Sequence, residues 1–305
     1  MIIKTPVDLD LTINSGQTSQ PPWILEDETY SNIILINDEP VIFNVKQSGD
    51  YLDFNFKGNV QESEAISKLN YIFDLDFDLN SSYKYLNGHD ELKDMSKFCN
   101  GLRLFLAPDP FECIISSICS ANNSIKRWTK SISQIKQNWG NQYGNYYSFP
   151  QSSDLLNAYL DDEEELNLSK IQDISMCANN LKNCGVGYRA PYMRKASELF
   201  TLEMDLSEIP KMGYDEAFET ILEVPGVGPK VADCILLYGF NFREAFPSDV
   251  WIKRIVSYLY FDGKDISVSK VRDFGMDEFG DNAGYVQLYM FHYARRSGLL
   301  EKIKK

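Results

Sequence analysis

The chain has 305 residues, 44% of them hydrophobic and 13% aromatic, which is enough for one large or two ordinary domains with buried cores. No run of 18 apolar residues occurs, so no membrane span is expected. Only two histidines and six scattered cysteines without CxxC spacing argue against a zinc, iron or disulfide framework. The N-terminus lacks a basic stretch before an apolar core, so we expect no secretory signal, a cytoplasmic location and reduced thiols.

The first hundred residues have the pattern of strands. Short apolar runs at Ile33–Ile36 and Val41–Val45 flank a turn-like segment, Asn37–Pro40. Apolar and polar residues alternate over Leu52–Lys57, which is the period of a half-buried strand. A helix is predicted at Glu64–Phe73.

From about Asp109 the apolar spacing becomes helical. Further helices are predicted near residues 168–181, 190–203, 213–223, 229–239, 249–260, 268–278 and 283–296. These patterns predict an α+β fold, with an antiparallel β-rich N-terminal domain (residues 1–107) packed on a larger all-helical body (residues 108–305). The body is expected to divide into two subdomains, at about 114–228 and 229–305.

The net charge of −14 argues at first against a nucleic-acid partner, because phosphate contacts need Lys and Arg. The acids are unevenly distributed, however, and residues 1–100 hold 7 basic and 17 acidic side chains. Ala121–Lys136 and Ala178–Ala196 each hold four basic residues and no acid. Such local basic faces bind DNA in spite of an acidic total, although ordinary solvated helix faces can have the same composition.

The segment Leu222–Cys234 carries the most informative motif. A predicted helix runs into Pro-Gly-Val-Gly at residues 225–228, and a second helix follows. Two glycines around one apolar residue allow a tight hairpin and leave backbone N–H groups open at a helix N-terminus, where an anion docks. Gly226 and Gly228 are therefore predicted to hold a DNA phosphate through the main chain. On its own, this motif indicates DNA binding with or without catalysis.

Lys230 and Asp249 add a chemical signal to the hairpin. Lys230 lies at the start of a helix, where the macrodipole disfavours a cation. With partial burial, this placement predicts a lowered pKa of the ammonium and a nucleophilic amine. Asp249 follows 19 residues later, and the intervening helix and loop can return it to Lys230. The alternative is a surface lysine with an unrelated N-capping aspartate.

At this point the chain resembles the helix-hairpin-helix Gly/Pro-Asp superfamily of DNA glycosylases, and within it the 8-oxoguanine DNA glycosylase/AP lyases. The resemblance covers about residues 8–297. It is carried by separate blocks in the same order, namely Ser15-Gly16-Gln17, Ile118–Asn123, Gly185–Ala190, Leu222–Cys234, Pro247–Val250 and Ala283–Gln287 with Phe291. The implied fold is a β-rich domain on a helical helix-hairpin-helix glycosylase body.

Residue by residue, the resemblance implies a flipped-out base in a pocket. Cys234 and Phe291 would stack on its two faces, and Gln287 would read its Watson–Crick edge with help from the carbonyl of Pro247. The backbone carbonyl of Gly16 would accept a hydrogen bond from N7–H of the oxidised base. Guanine lacks that proton, so this contact is the discriminating one.

Other positions are implied to contact the duplex. Asn122 would fill the space left by the extruded nucleotide, with Tyr188 wedged beside it. Arg127 and Arg189 would read the orphaned base, for which cytosine is the expectation. Val250 and Trp251 follow Asp249 at the DNA face, and Trp251 stands where the animal enzymes have a histidine.

The implied activity is base excision through a Lys230 Schiff base, followed by β-elimination, with Asp249 stabilising the positive charge on the sugar. No cofactor or catalytic metal is expected, and no four-cysteine cluster follows Cys234, so no iron–sulphur cluster is expected either. The main-chain carbonyls of Leu222, Val224 and Val227 are candidates for holding a structural cation. We expect a monomer whose partner is double-stranded DNA, nucleoid-associated when bound.

The support of the Gly16 loop departs from the animal pattern. Where those enzymes have Gln-Ser-Phe-Arg-Trp, this chain has Gln17-Thr18-Ser19-Gln20, with Trp23 further on. Three other functions stay open at this stage. The first is a glycosylase of the same fold for another damaged purine, and the second is a non-catalytic helix-hairpin-helix DNA-binding protein. The third, a small-molecule enzyme, has no cofactor signature in the sequence.

Overall fold

A computed structural model describes residues 1–158, 160 and 180–303. Its strands are β1 (Ile2–Lys4), β2 (Ile24–Glu26), β3 (Thr29–Ile36), β4 (Glu39–Ser48), β5 (Tyr51–Lys57), β6 (Gln142–Tyr143) and β7 (Tyr146–Tyr147). Its helices are α1 (Leu9–Ile13), α2 (Glu62–Ile72), α3 (Leu79–Asn87), α4 (Lys93–Phe98), α5 (Pro110–Ser120), α6 (Ile125–Trp139), α7 (Ser152–Leu156), α8 (Ala190–Leu202), α9 (Tyr214–Leu222), α10 (Pro229–Phe240), α11 (Val250–Tyr260), α12 (Val268–Phe279), α13 (Ala283–Arg296) and α14 (Leu299–Lys302).

Strands β1 to β5 form one antiparallel sheet in the order β1-β5-β4-β3-β2. Asn37 and Asp38 close the β3–β4 hairpin, both with positive φ (51° and 65°), as a two-residue turn of the primed type requires. The turn is therefore shorter than predicted, and Glu39 already belongs to β4. The alternation predicted for β5 is confirmed, since Leu52 and Phe54 are buried.

The predicted helices from residue 190 onward are confirmed to within about two residues at each end. The helix predicted near 168–181 lies outside the described residues except for positions 180 and 181. Helices α3 and α4 are not predicted by the sequence, because their apolar residues are few and separated by Asn, Ser and Lys. Within the described ranges, no helix is long and apolar enough to cross a membrane.

Among the described residues, the buried apolar side chains form three clusters. The first lies between the sheet and α1, α2 and the segment around Phe105. The second joins residues 79–107 to the C-terminal helices α11 to α13, and the third lies among α5, α6, α8 and α9. The second cluster contains residues from both sides of position 107, where the sequence predicts the domain boundary. The division into domains at that position stays a prediction.

Helix α10 lies between the second and third clusters. Cys234, Leu237 and Tyr238 pack into the second cluster. Ile235 and Leu236 pack into the third, and both are fully buried. The helix that carries Lys230 is therefore held on both sides by apolar packing.

Candidate active site

A hairpin between α9 and α10 positions Lys230. Gly226 has φ +84°, and a Cβ built there would lie 2.7 Å from Cγ of Tyr192 on α8, so the backbone rests directly on that ring. Gly228 is the N-cap of α10 and Pro229 its first residue, which suits a proline because no partner is needed for its missing N–H. Lys230 follows in the first turn and is half-buried.

Asp249 approaches Lys230 from the start of α11. It is the N-cap of that helix, and its Oδ1 accepts hydrogen bonds from the backbone N–H groups of Trp251 (2.8 Å) and Ile252 (2.9 Å). Its charge also acts on the Lys230 ammonium. Asp249 is thus an N-cap whose charge also reaches Lys230, and the pairing of the two residues in catalysis stays a prediction.

The predicted lowering of the Lys230 pKa is wrong. Burial lowers the pKa of this ammonium, but the Cys234 sulfur and the carboxylates of Asp249 and Asp233 together raise it above its ordinary value. Burial also raises the pKa of the Cys234 thiol. Lys230 and Cys234 therefore act on each other's titration, and Lys230 must lose a proton before its amine can attack.

The Gly16 loop forms one wall beside Cys234. Gly16 has φ +86° and packs directly on the side chain of Ile125, so only glycine fits without strain. Gln17 fixes the loop, since its side chain donates to the carbonyl of Arg103 (3.0 Å) and accepts from the N–H of Phe105 (2.9 Å). These bonds hold the Gly16 loop in place, although the sequence after Gln17 differs from that of the animal enzymes.

Thr18 links the same loop to α10. Its hydroxyl interacts with the Cys234 sulfur and accepts a hydrogen bond from Ser117 of α5 (3.3 Å). The residues predicted to hold the lesion and the residue predicted to attack it are therefore connected through Thr18 and Cys234.

Helix α13 forms the opposite wall. Gln287 is buried, and its Nε2 donates to the carbonyl of Pro247 (3.1 Å), while its Oε1 has no hydrogen-bond partner. A buried amide oxygen without a partner costs free energy, so it is set to accept a bond from a ligand. Phe291, one helical turn further on, is half-buried.

Arg295 joins the two walls and was not predicted. Its guanidinium lies 5.1 Å from the centre of the Phe291 ring, and its Nη1 donates to the carbonyl of Ser15 (3.3 Å). Arg295 thus links Phe291 to the Gly16 loop, Thr18 links that loop to Cys234, and Gln287 on the same helix as Phe291 contacts Pro247. We call Gly16, Cys234, Pro247, Gln287 and Phe291 the base pocket.

The residues predicted to contact the rest of the duplex lie in a second group. Asn122 is exposed and has φ 51°. The buried Arg189 holds this turn, donating to the carbonyls of Ala121 (2.9 Å), Asn122 (3.1 Å) and Val186 (3.2 Å). Tyr188 is 61% exposed, with the Arg189 guanidinium 4.4 Å from its ring centre. Most N–H groups of Arg189 are therefore already engaged.

The remaining predicted positions lie on exposed helix starts. Arg127 is exposed on α6, and Val250 is 56% exposed at the start of α11. Trp251 is half-buried, with the guanidinium of Arg254 5.0 Å from its ring centre. At the hairpin, the carbonyl of Val224 accepts a bond from the N–H of Val227 (3.0 Å). Within the described ranges, no group of three or more His, Cys, Asp or Glu residues is arranged to hold a metal ion.

Two family models match the chain in succession. Residues 1–114 match the model described as 8-oxoguanine DNA glycosylase, N-terminal domain. Residues 115–279 match the model described as HhH-GPD superfamily base excision DNA repair protein. The chain belongs to the HhH-GPD superfamily.

Relatives match this superfamily member over most of its length. A Methanothermobacter thermautotrophicus protein named "Probable N-glycosylase/DNA lyase" is 43% identical over 98% of this chain and 96% of its own length. The Saccharomyces cerevisiae N-glycosylase/DNA lyase is 28% identical over 85% of this chain and 70% of its own.

Two solved structures have the same fold as this HhH-GPD protein. MBOgg1, in complex with a low affinity DNA ligand, is 30% identical, with a TM-score of 0.80 over 97% of this chain and 96% of that one. The 8-oxoguanine glycosylase/lyase of Clostridium acetobutylicum is 28% identical, with a TM-score of 0.79 over 98% of both chains. That structure contains duplex DNA with cytosine opposite 8-oxoguanine. The predicted α+β class and glycosylase fold are therefore confirmed.

Proposed function

We propose that this chain excises 8-oxoguanine from duplex DNA and then cleaves the strand as a lyase. The observation that carries the proposal is Lys230, which is half-buried beside Cys234 and Asp249 at the edge of the base pocket. A lysine in this position supports covalent catalysis, because an amine forms a Schiff base with the sugar that water cannot form. The N-glycosylase/DNA lyase relative, similar over 98% of the chain, supports the same activity.

In this mechanism the neutral Lys230 amine attacks C1′ of the extruded nucleotide. The bond from C1′ to the base breaks, and the base leaves with the bonding electrons and takes up the proton that the attacking nitrogen releases. Asp249 stabilises the positive charge that develops on the sugar. The nitrogen lone pair then breaks the C1′–O4′ bond, O4′ takes up a proton, and the protonated Schiff base forms. This Schiff base makes the C2′ proton acidic, and its removal expels the 3′ phosphate, which breaks the strand on the 3′ side.

Selection of the oxidised base depends on Gly16. Its carbonyl accepts N7–H of 8-oxoguanine, whereas the N7 lone pair of guanine would face the same oxygen. The lost bond and the repulsion together cost roughly 1–3 kcal/mol. The unpaired Oε1 of Gln287 accepts from the Watson–Crick edge, while Cys234 and Phe291 contact the two faces of the base.

The remaining contacts hold the opened duplex. Gly226 and Gly228 bind a phosphate through their N–H groups, with Val250 and Trp251 beside it. Asn122 and Tyr188 occupy the space of the extruded nucleotide. Arg127 reads cytosine on the other strand, and Arg189 supports this contact by holding the Asn122 turn through the carbonyls of Ala121 and Asn122. The duplex bound by the Clostridium protein has cytosine opposite 8-oxoguanine.

The chemistry needs no metal or other cofactor, since Lys230 and Asp249 supply the nucleophile and the charge. A cation held by the carbonyls of Leu222, Val224 and Val227 would have a structural role at the hairpin. The enzyme acts as a monomer.

Borohydride trapping on an 8-oxoguanine duplex tests the nucleophile. Lys230→Gln is expected to abolish the covalent adduct while DNA binding survives, because only the amine is lost. Asp249→Asn is expected to lower kcat by orders of magnitude with a small change in affinity. An undiminished adduct in Lys230→Gln would exclude this lysine, and near-normal turnover in Asp249→Asn would exclude that carboxylate.

Cleavage of duplexes with 8-oxoguanine opposite each of the four bases tests the substrate. Cytosine is expected to be the best opposing base. Matching duplexes that carry alkylated or ring-opened purines serve as the comparison. Faster excision of one of these would assign the enzyme to another damaged purine.

A further inference from the structure

A largely buried ionic network joins α10 to α9 and α12. Asp233 is fully buried and receives Arg272 from α12, with Nε on Oδ2 (2.8 Å) and Nη2 on Oδ1 (3.2 Å). The Tyr214 hydroxyl of α9 also donates to Oδ1 of Asp233, and it accepts from Nη2 of Arg272 (2.7 Å). Every oxygen of this carboxylate thus has a charged or hydroxyl partner.

Asp233 is also a neighbour of Lys230. The two residues are three positions apart on α10, so their side chains lie on the same helix face. The charge of Asp233 acts on the Lys230 ammonium, together with Cys234 on the same helix and Asp249 before α11. Lys230 therefore stands near two carboxylates, whereas the chemistry requires one.

We infer that Arg272 is a positioning residue that partly neutralises Asp233, so that Asp233 holds Lys230 as an ammonium less strongly than an uncompensated carboxylate would. Asp249 is then left as the carboxylate that Lys230 and the sugar share. The bidentate geometry supports this role, because a planar guanidinium binds both oxygens of the carboxylate. The inference rests on the proposed function, in which Lys230 is the nucleophile.

The sign of the effect follows from electrostatics. Without Arg272, the buried Asp233 charge is no longer compensated, which raises the pKa of Lys230 further and reduces the neutral amine at pH 7. Without the Asp233 charge, the pKa of Lys230 falls, and the amine forms at lower pH. Removal of both charges returns the lysine to near its original environment.

Single-turnover β-elimination on an abasic-site duplex between pH 6 and 10 tests the inference. In Arg272→Met, the acidic limb of the rate profile is expected to move up by roughly one pH unit, with about tenfold slower reaction at pH 7 that recovers at high pH. In Asp233→Asn the limb should move down. The double variant should return towards the wild-type profile.

Asp273→Asn is the matched control, because Asp273 is an exposed neighbour of Arg272 (3.7 Å from Nη1) and should leave the profile unmoved. If Arg272→Met does not fold, Asp233→Asn and the double variant Asp233→Asn/Arg272→Met still show the direction in which the pH profile moves. Superimposed profiles, or equal slowing at every pH, would overturn the role of Arg272. The proposed nucleophile fails if Lys230→Gln still forms the adduct, whatever the pH profiles of the Arg272 and Asp233 variants, so the two failures are distinguishable.

Discussion

Lys230 has to be uncharged when it attacks, yet its surroundings favour the ammonium. The sequence correctly indicates a helix start and partial burial, both of which lower the pKa of a lysine. The sequence also indicates the return of Asp249 to Lys230, but it does not show that Cys234, Asp249 and Asp233 together outweigh the effect of burial. Charge compensation across the fold decides the protonation state, and only the three-dimensional arrangement reveals it.

Arg295 is expected to control base excision without affecting the lyase step. Arg295→Ala removes the guanidinium that links the Ser15 carbonyl to the Phe291 ring, so the Gly16 loop is held less firmly. One charge-assisted hydrogen bond contributes about 1.5–3 kcal/mol. We therefore expect roughly tenfold or greater loss in kcat/KM on 8-oxoguanine duplexes. Cleavage of an abasic-site duplex, which leaves the pocket empty, should stay unchanged.

The adjacent Arg296→Ala is the control for this measurement, since Arg296 is an exposed arginine on the same helix. Equal loss of both activities in Arg295→Ala would indicate general destabilisation and contradict a role confined to the pocket walls.

The predictable part of the candidate site consists of residues in short motifs. Lys230 follows a Gly-x-Gly turn and Asp249 follows Pro247-Ser248, so both stand out in the sequence. Arg295 and Tyr192 belong to ordinary amphipathic helices, and nothing in their spacing distinguishes them from surface residues. Their roles come from contacts with distant segments, which a single sequence does not report.

At the level of elements, the two hairpin glycines are expected to fail for different reasons. Gly226→Ala forces an L-residue to φ +84° and pushes Cβ against Tyr192, so the melting temperature and the affinity for any duplex should both fall. Gly228 has φ −109°, and no described atom lies within 4 Å of its added Cβ. The Gly228→Ala protein should therefore keep the wild-type melting temperature. It should bind DNA more weakly, because the added methyl group lies where a DNA phosphate would approach the hairpin.

Thermal melts and fluorescence anisotropy with undamaged and damaged duplexes separate the two effects. A Gly226→Ala protein with unchanged melting temperature would mean that the Tyr192 ring gives way, contrary to the close packing seen here.

Most elements could be predicted because their apolar periodicity is strong. Helices α9, α11 and α12 each bury one clear face, α10 and α13 are buried over most of their surface, and residues of β4 and β5 alternate between buried and more exposed. Helix α3 could not be predicted, since only Leu79 and Leu86 supply an aliphatic face and the intervening residues are polar or tyrosine. Its partners are the C-terminal helices, so the burial that stabilises it comes from far along the chain.

At the level of the whole molecule, Glu112 makes stability depend on pH near neutrality. Its carboxyl is buried on α5, where Oε1 has no hydrogen-bond partner and Lys136 lies 3.8 Å away. Burial raises its pKa from 4.5 to about 7. The folded protein therefore binds the Glu112 proton more tightly than the unfolded chain does. The stability that this protonated carboxyl contributes is complete below pH 4.5 and is lost as the pH rises through 7.

Glu112→Gln should remove this dependence. Relative to the wild type, the variant is expected to gain about 1–3 kcal/mol in free energy of unfolding between pH 5 and pH 8. Chemical denaturation at both values measures the difference, and Glu219→Gln, at an exposed position, is the control. A constant difference across this range would show that Glu112 is ionised in the folded protein.

The packing of α10 between two apolar clusters restricts which parts of the chain can be lost in evolution. Residues 79–107 cover one flank of the lysine helix and the central helices cover the other. A protein that begins after residue 114 would leave Cys234 and Leu237 facing water, with Gly16 missing as well. The N-terminal third is thus an integral part of the fold, because it packs on the helix that carries Lys230. Homologous proteins can therefore vary the exposed face of the N-terminal sheet. Loss of the whole N-terminal third would remove Gly16 from the base pocket and the apolar packing that positions Lys230.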